Sequence, residues 1–169
     1  MFKSIRRRMI IYNIAVIAVI VVIMGFFFSW FLHYFYMQTL RDNLYIQARL
    51  TAALIEEMIN DETFPAVVDS LYEDLGAELG LRMTLINGEG VVLADSDENP
   101  ALMENHADRP EIIEALQQEV GIARRYSETL EKDMYYLAVP FGEIDDEAGE
   151  GAHSLIIRLA LPLSAINRA

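Results

Sequence analysis

The side chains with chemical potential gather in residues 95–116, DSDENPALMENHADRPEIIEAL. His106 and Arg109 stand three apart between an acidic stretch and Pro110. A lone histidine can hold an anion or a metal, or take a hydrogen bond within a loop. With no second His or Cys at ligand spacing, the metal signal is weak. Arg109 has the fork to grip a carboxylate bidentately, or to tie its loop to a neighbouring acid. Just upstream, the apolar run VVLADSD ends in Asp95-x-Asp97. An aspartyl nucleophile with a general acid two residues on is phosphoryl-transfer chemistry, and it also needs a lysine and further acids for Mg²⁺. Those parts lack their expected context, and the competing reading is that Asp95 and Ser96 cap the turn leaving a strand. Further on, ARRYS and MYYLA bring Arg124, Arg125, Tyr126 and Tyr136 together. Period-two alternation sends Arg125 to one face and Arg124 and Tyr126 to the other, with Tyr135 and Tyr136 similarly opposed. One arginine and one aromatic on the inner face would line a pocket for a small anion or amino acid; otherwise they are a core tyrosine and a surface arginine. EIDDEAGE supplies Glu143, Asp145, Asp146, Glu147 and Glu150 as oxygen donors, but without the spacing of a calcium loop, and reads as a solvated turn. The chain has no cysteine, hence no disulfide, thiolate site or thiol nucleophile. No metal, cofactor or catalytic residue is expected; the ligand candidates are His106, Arg109, Arg124, Arg125, Tyr126 and Tyr136.

The elements that must position these residues follow from period and punctuation. LRMTLIN and VVLADS are β-rich runs joined by GEG, a hairpin signal. Asp108 as N-cap, Pro110 in the first turn and Gly121 as terminator predict a short helix after the loop. IARRYSETL, MYYLAVPFG and SLIIRLALPL predict three more strands. AVVDSLYEDLGAELG predicts a helix ending at Gly76 or Gly80, preceded by the breaker DETFP. The order implies an α+β domain, residues 61–169, with one antiparallel sheet of about five strands.

Upstream the chain changes character. Residues 9–36 carry no charge, and a helix of about 20 apolar residues suffices to cross about 30 Å of hydrocarbon. Tyr12 falls near one interface, and Trp30, Tyr34 and Tyr36 near the other. The bulky residues after the run argue against signal cleavage, so an uncleaved anchor is expected. Lys3, Arg6, Arg7 and Arg8 precede the run, and all 26 acidic residues follow it. Residues 1–8 are therefore expected in the cytoplasm and residues from about 37 outside it. An acidic ectodomain excludes nucleic acid as a partner, because phosphate contacts need a basic surface. Residues 37–60 carry two apolar stripes, Met37, Leu40, Leu44, Leu54, Met58 and Tyr45, Ala48, Ala52, Ile55, Ile59, and with no Gly or Pro between them the membrane helix should continue to about Asn60. One stripe can pack on the chain's own domain and the other on a second copy, giving a homodimer. The alternative is that both stripes are core.

The strings LINGEGVVLADSDENPALMENHADRPEIIEAL, ARRYSETLEKDMYYLAVP and IIRLALPLSAIN, in this order, resemble the extracytoplasmic PAS-like sensor domain of bacterial sensor histidine kinases, nearest the phosphate-regulon sensor kinase group. The resemblance covers about residues 80–168. It implies a second membrane span, then phosphoacceptor and ATP-binding domains. The chain carries neither a phosphoacceptor-histidine motif nor a Gly-rich nucleotide motif, so it is not itself a kinase. A helix beginning at SAINRA suggests that the span follows in the parent protein. The leading expectation is a membrane-anchored sensory input region that relays a small-molecule or protein stimulus through residues 37–60. The alternatives are a dimeric anchored interaction module that binds nothing small, and the Mg²⁺-dependent phosphatase.

Overall fold

The computed structural model describes residues 2–58, 64–127, 131–145 and 152–166. The chain divides into two compact units, residues 1–42 and 43–169. Helix α1 covers Phe2–Met58. In the first unit every residue from Ile5 to Tyr36 is exposed, and the helix is apolar on all sides. A helix of that kind has no stripe to bury on a neighbour and needs an apolar medium all round. It is long and apolar enough to cross a membrane. Its aromatics stack along the helix at i, i+4, Trp30 on Tyr34 and Phe31 on Phe35.

In the second unit the pattern becomes amphipathic. Leu44, Ala48, Thr51, Ala52 and Ile55 are buried, with a mean step close to the helical repeat. This face mixes the two predicted stripes: Leu54 of one and Tyr45 of the other lie exposed. Ile46, Leu50 and Leu54 form an exposed apolar row at i, i+4, i+8. Helix α2, Phe64–Leu79, buries Val68, Tyr72 and Gly76 and packs on the first two strands. It stops at Gly80, whose φ of 64° suits a left-handed terminator. Gly76 does not end it; a Cβ there would strike the side chain of Ser96. The DETFP breaker falls mostly on residues 59–63, outside the described residues.

The sheet has five antiparallel strands in the order β2-β1-β5-β4-β3: β1 Arg82–Asn87, β2 Val92–Asp95, β3 Gly121–Ser127, β4 Lys132–Asp145 and β5 Ala152–Pro162. Strand β5 is central, and its near-continuous apolar run is buried on both faces. Alternation gives one face Met83, Leu85, Leu137, Leu155, Ile157 and Leu159. The other carries Ile86, Ala138 and Ile156, covered by Ile112 and Ala115 of helix α3, Pro110–Gln118.

Two details of α3 differ from expectation. Arg109, not Asp108, occupies the N-cap, and no side chain caps the helix; the Arg109 carbonyl instead accepts from the amides of Ile112 and Ile113. Pro110 fixes the first helical φ, so the cap falls on the residue directly before it. Gly121 does not terminate the helix, because Glu119 takes the left-handed position with φ 67°. Gly121 opens β3, and a Cβ there would overlap the Glu111 carbonyl and the Ala115 amide. Its glycine lets helix and edge strand touch.

Candidate ligand site

The β1–β2 hairpin fixes the site's upper wall. Asn87 accepts from the amides of Glu89 and Val91, and Gly90 takes φ 85°, which disfavours a side chain. The bare Gly90 lets residues 105–107 lie against the turn: the His106 amide donates to the Gly90 carbonyl at 2.7 Å, and Asn105 Nδ2 donates to the Glu89 carbonyl. Asn105 Oδ1 then accepts from the Ala107 amide. A Cβ on Gly90 would collide with Ala107. The hairpin turn thereby positions a buried histidine 16 residues later in the chain.

His106 Nδ1 lies 2.7 Å from the Glu104 carbonyl. A carbonyl only accepts, so Nδ1 carries the proton and donates. Burial pushes the His106 imidazolium pKa below its ordinary value, as do the nearby guanidinium groups, Arg158 foremost; the Glu104 bond works the other way.

Strand exit β2 is an electrostatic knot. Arg82 Nε donates to both oxygens of Asp95 at 3.0 and 3.2 Å, and Thr84 Oγ1 donates to Asp95 Oδ2 at 2.7 Å. The amides of Asp97 and Glu98 close on Asp95 Oδ1. The Asp95 side chain is fully enclosed and its oxygens are occupied, which is the geometry of a turn cap and not of a nucleophile open to a phosphoryl group. Arg158 enters from the central strand: its Nη2 donates to Thr84 Oγ1 at 3.0 Å, and its Nη1 lies 3.6 Å from Glu111 Oε1. Glu111, wholly buried in the first turn of α3, takes its closest contact from Arg125 Nη2 at 2.9 Å. The Tyr136 ring serves both cations, with Arg125 at 4.2 Å and Arg158 at 5.2 Å from its centroid.

Three guanidinium groups, Arg82, Arg125 and Arg158, thus face two carboxylates, Asp95 and Glu111. Arg158 is almost fully buried, and its Nε has no hydrogen-bond partner. Burial draws its pKa down from the ordinary arginine range and Glu111 opposes this, leaving a cation at neutral pH. For Arg125 burial also acts downward, but the hydrogen bond and charge of Glu111 outweigh it and the net shift is upward.

Over this network opens a cavity of about 470 Å³, within the range of about 300–1,000 Å³ usual for small-molecule sites. His106, Arg109, Arg125, Tyr126 and Tyr136, five of the six candidates, line it. Arg109 is held loosely at the rim, 3.6 Å from Glu104 and 3.7 Å from Asp108. Tyr126 alternates away from Arg125, yet β3 is an edge strand and the exposed ring reaches the cavity mouth. Arg124 is not brought in: it lies exposed, its guanidinium 5.6 Å over Tyr135. Sequence reasoning missed Arg82, Glu111 and Arg158. The available signal was a single charge inside an apolar strand run, LRMTLI and LIIRLAL, since an unpaired charge has no place in a core. The acidic turn 143–150 lies outside the residues whose side chains are described.

A protein-family model described as Single Cache-like matches residues 34–152. Among solved structures, the sensor domain of the Vibrio cholerae histidine kinase DctB matches with a TM-score of 0.55 at 18% identity, covering 79% of this chain and 54% of that one. The ligand-binding domain of Mlp24 with asparagine matches with a TM-score of 0.51 at 13% identity, covering 76% and 53% respectively. The chain spans about half the length of these two structures. Comparison with curated protein sequences yields no significant match.

Proposed function

The chain belongs to the Single Cache-like family, and from that premise we propose that it is the membrane-anchored, extracytoplasmic input region of a sensor histidine kinase, with the cavity over β1, β5 and β4 as its stimulus site. Cache sensor domains of histidine kinases and chemoreceptors are extracytoplasmic ligand-sensing modules. The observation that carries the reading is Arg158: a buried cation with an unpartnered Nε, beside a cavity that a ligand would fill. The motifs around residues 95–126 support the narrower phosphate-regulon-like grouping. The exposed apolar run of α1 supports the anchor, and the basic cluster before it supports a cytoplasmic N-terminus.

The relay runs through residues 37–58 of α1. A ligand favours one of two packings of the buried face Leu44, Ala48 and Ile55, and can shift the balance only by its difference in affinity between them. Moving a switch from 1:99 to 99:1 needs about 5.5 kcal/mol, several times what an exposed ion pair of about 1 kcal/mol supplies. A cavity with buried guanidinium groups has that capacity.

The test is topological and functional together. Protease added to intact cells should trim residues beyond about 40 while sparing the N-terminus, and Tyr136→Ala in the full-length parent should change the signalling response. A chain protected outside, or a response unaltered by Tyr136→Ala and Arg125→Ala alike, would overturn the reading. The row Ile46, Leu50, Leu54 favours a second component, a homodimer built on α1. With a response that survives loss of the cavity, it would make the chain an anchored interaction module.

A further inference from the structure

Resting on the reading of the cavity as the stimulus site, we infer that Tyr72 of α2 is a positioning residue that couples the cavity to α2: when Arg82 or Arg158 turns to a ligand, the Tyr72 hydroxyl takes over from Thr84 as a donor to Asp95. Three observations converge. The first is an unused donor. Tyr72 is fully buried, and among the described residues its hydroxyl has no hydrogen-bond partner. A buried hydroxyl left unmatched costs its desolvation, and phenylalanine would fill the same space without that cost. The second is where the donor lies. Tyr72 and Gly76 share the buried face of α2, one turn apart. Gly76 admits Ser96, the residue directly after Asp95; a Cβ on Gly76 would come within 2.5 Å of Ser96 Cβ. Ser96 is itself tied to β1, its amide donating to the Met83 carbonyl at 2.9 Å and its Oγ accepting from the Met83 amide at 3.0 Å. The helix face that carries Tyr72 therefore rests on the strand exit that carries Asp95. Burial, and after it the Asp95 charge, raises the pKa of the Tyr72 hydroxyl. The third is the chain of bonds from the cavity. Arg158 Nη2 donates to Thr84 Oγ1 at 3.0 Å, and Thr84 Oγ1 donates to Asp95 Oδ2 at 2.7 Å. Arg82 Nε donates to both Asp95 oxygens. Both arginines line the cavity. A ligand that engages Arg82 draws a donor from Asp95 directly; one that engages Arg158 frees Thr84 to turn away. The amides of Asp97 and Glu98 keep Oδ1, so the exchange falls on Oδ2. A buried carboxylate short of a donor is costly, and Tyr72 holds an unspent one. The exchange draws α2 toward the strand exit when the cavity is occupied. Since α2 follows α1 in the chain, it gives the stimulus a second route to that helix.

A double-mutant cycle on the full chain in detergent tests this without any ligand. Thr84→Val removes the hydroxyl that Tyr72 is to replace, and Thr84→Ala makes the same deletion should the core reject valine. In denaturant titrations, Tyr72→Phe should not raise the unfolding constant of the native chain. In the Thr84→Val or Thr84→Ala background it should raise that constant on the order of tenfold or more, as expected for loss of a hydrogen bond to a charged group. Thr84→Ser keeps the hydroxyl and should show no such coupling. The hydroxyl-bearing ring carbon of Tyr72, followed by NMR on tyrosine labelled there with ¹³C and assigned through Tyr72→Phe, should shift in Thr84→Val and stay in place in Thr84→Ser. Additive costs in the cycle, the same coupling in Thr84→Ser, or a Tyr72→Phe cost already present in the native chain would each overturn the inference. So would an unmoved Tyr72 signal in Thr84→Val. None of these outcomes bears on the sensor reading, which the protease and signalling test decides separately.

Discussion

Glu111→Gln and Arg158→Met make opposite changes to one buried cluster, and the charge count predicts which is worse. Glu111 is fully buried between Arg125 at 2.9 Å and Arg158 at 3.6 Å. Gln keeps its volume and removes its charge, so three guanidinium groups then share Asp95 alone. Breaking a buried pair by removing one partner costs about 3–5 kcal/mol. At roughly 3–4 °C per kcal/mol for a domain of this size, the midpoint should fall by about 10–20 °C. Arg158→Met has the reverse effect on the balance. It removes the surplus cation, leaves Arg82 with Asp95 and Arg125 with Glu111, and relieves a buried Nε that has no partner. Replacing buried ionic groups by apolar ones of similar size is often neutral or stabilising, so the loss should stay within about 2 kcal/mol, the residue of its hydrogen bond to Thr84, its longer ion pair with Glu111 and its contact with the Tyr136 ring. The assay is thermal unfolding of the full chain in detergent, followed by near-ultraviolet circular dichroism, where Tyr136 and its neighbours report tertiary packing. The double variant should recover most of the Glu111→Gln loss. Equal costs for the two single changes, or no recovery in the double variant, would refute the surplus-cation argument.

Other consequences are as direct. Gly90→Ala forces a side chain onto φ 85° and against Ala107; it should cost about 1–3 kcal/mol and release the 104–107 loop, seen as faster amide exchange at His106. Tyr72→Phe removes a hydroxyl that is buried without a partner and whose pKa burial raises, chiefly by desolvation and secondarily through Asp95; stability should hold or rise by up to about 1 kcal/mol in the same melt. His106 has a lowered pKa in the fold, so between that value and its ordinary 6.5 the unfolded chain binds more protons. Stability contributed by neutral His106 is therefore full above pH 6.5 and is lost as pH falls through that value toward the folded pKa. Melting midpoints from pH 7.5 to 5 should drop more for the native chain than for His106→Asn, and an identical slope in both would sink the assignment.

What the sequence determined by itself was whatever depends on period and near neighbours. Uncharged residues from 9 to 36 specify a helix apolar on all sides, because covering about 30 Å needs only length and composition. The alternation in MYYLAVP and the unbroken run in SLIIRLAL distinguish strands, and Pro110 places a helix start to within one residue. The same local signals assembled His106, Arg109, Arg124, Arg125, Tyr126 and Tyr136 as a candidate group, from which the fold removes Arg124. Tertiary structure alone decided the rest. Arg158 reads from sequence as one odd charge in an apolar strand; only pairing with Thr84 across β1 and α3 packing over β4 bring it to Glu111, 47 positions away in the chain. Arg124 and Arg125 are indistinguishable as letters, and the face each takes separates a solvent arginine from a half-buried one over the Tyr136 ring. Gly121 looks like a helix terminator until the close approach of α3 to β3 shows why no side chain fits. Propensity and pattern act over a few residues. Charge balance and steric exclusion act between chain segments that meet only once the sheet has formed.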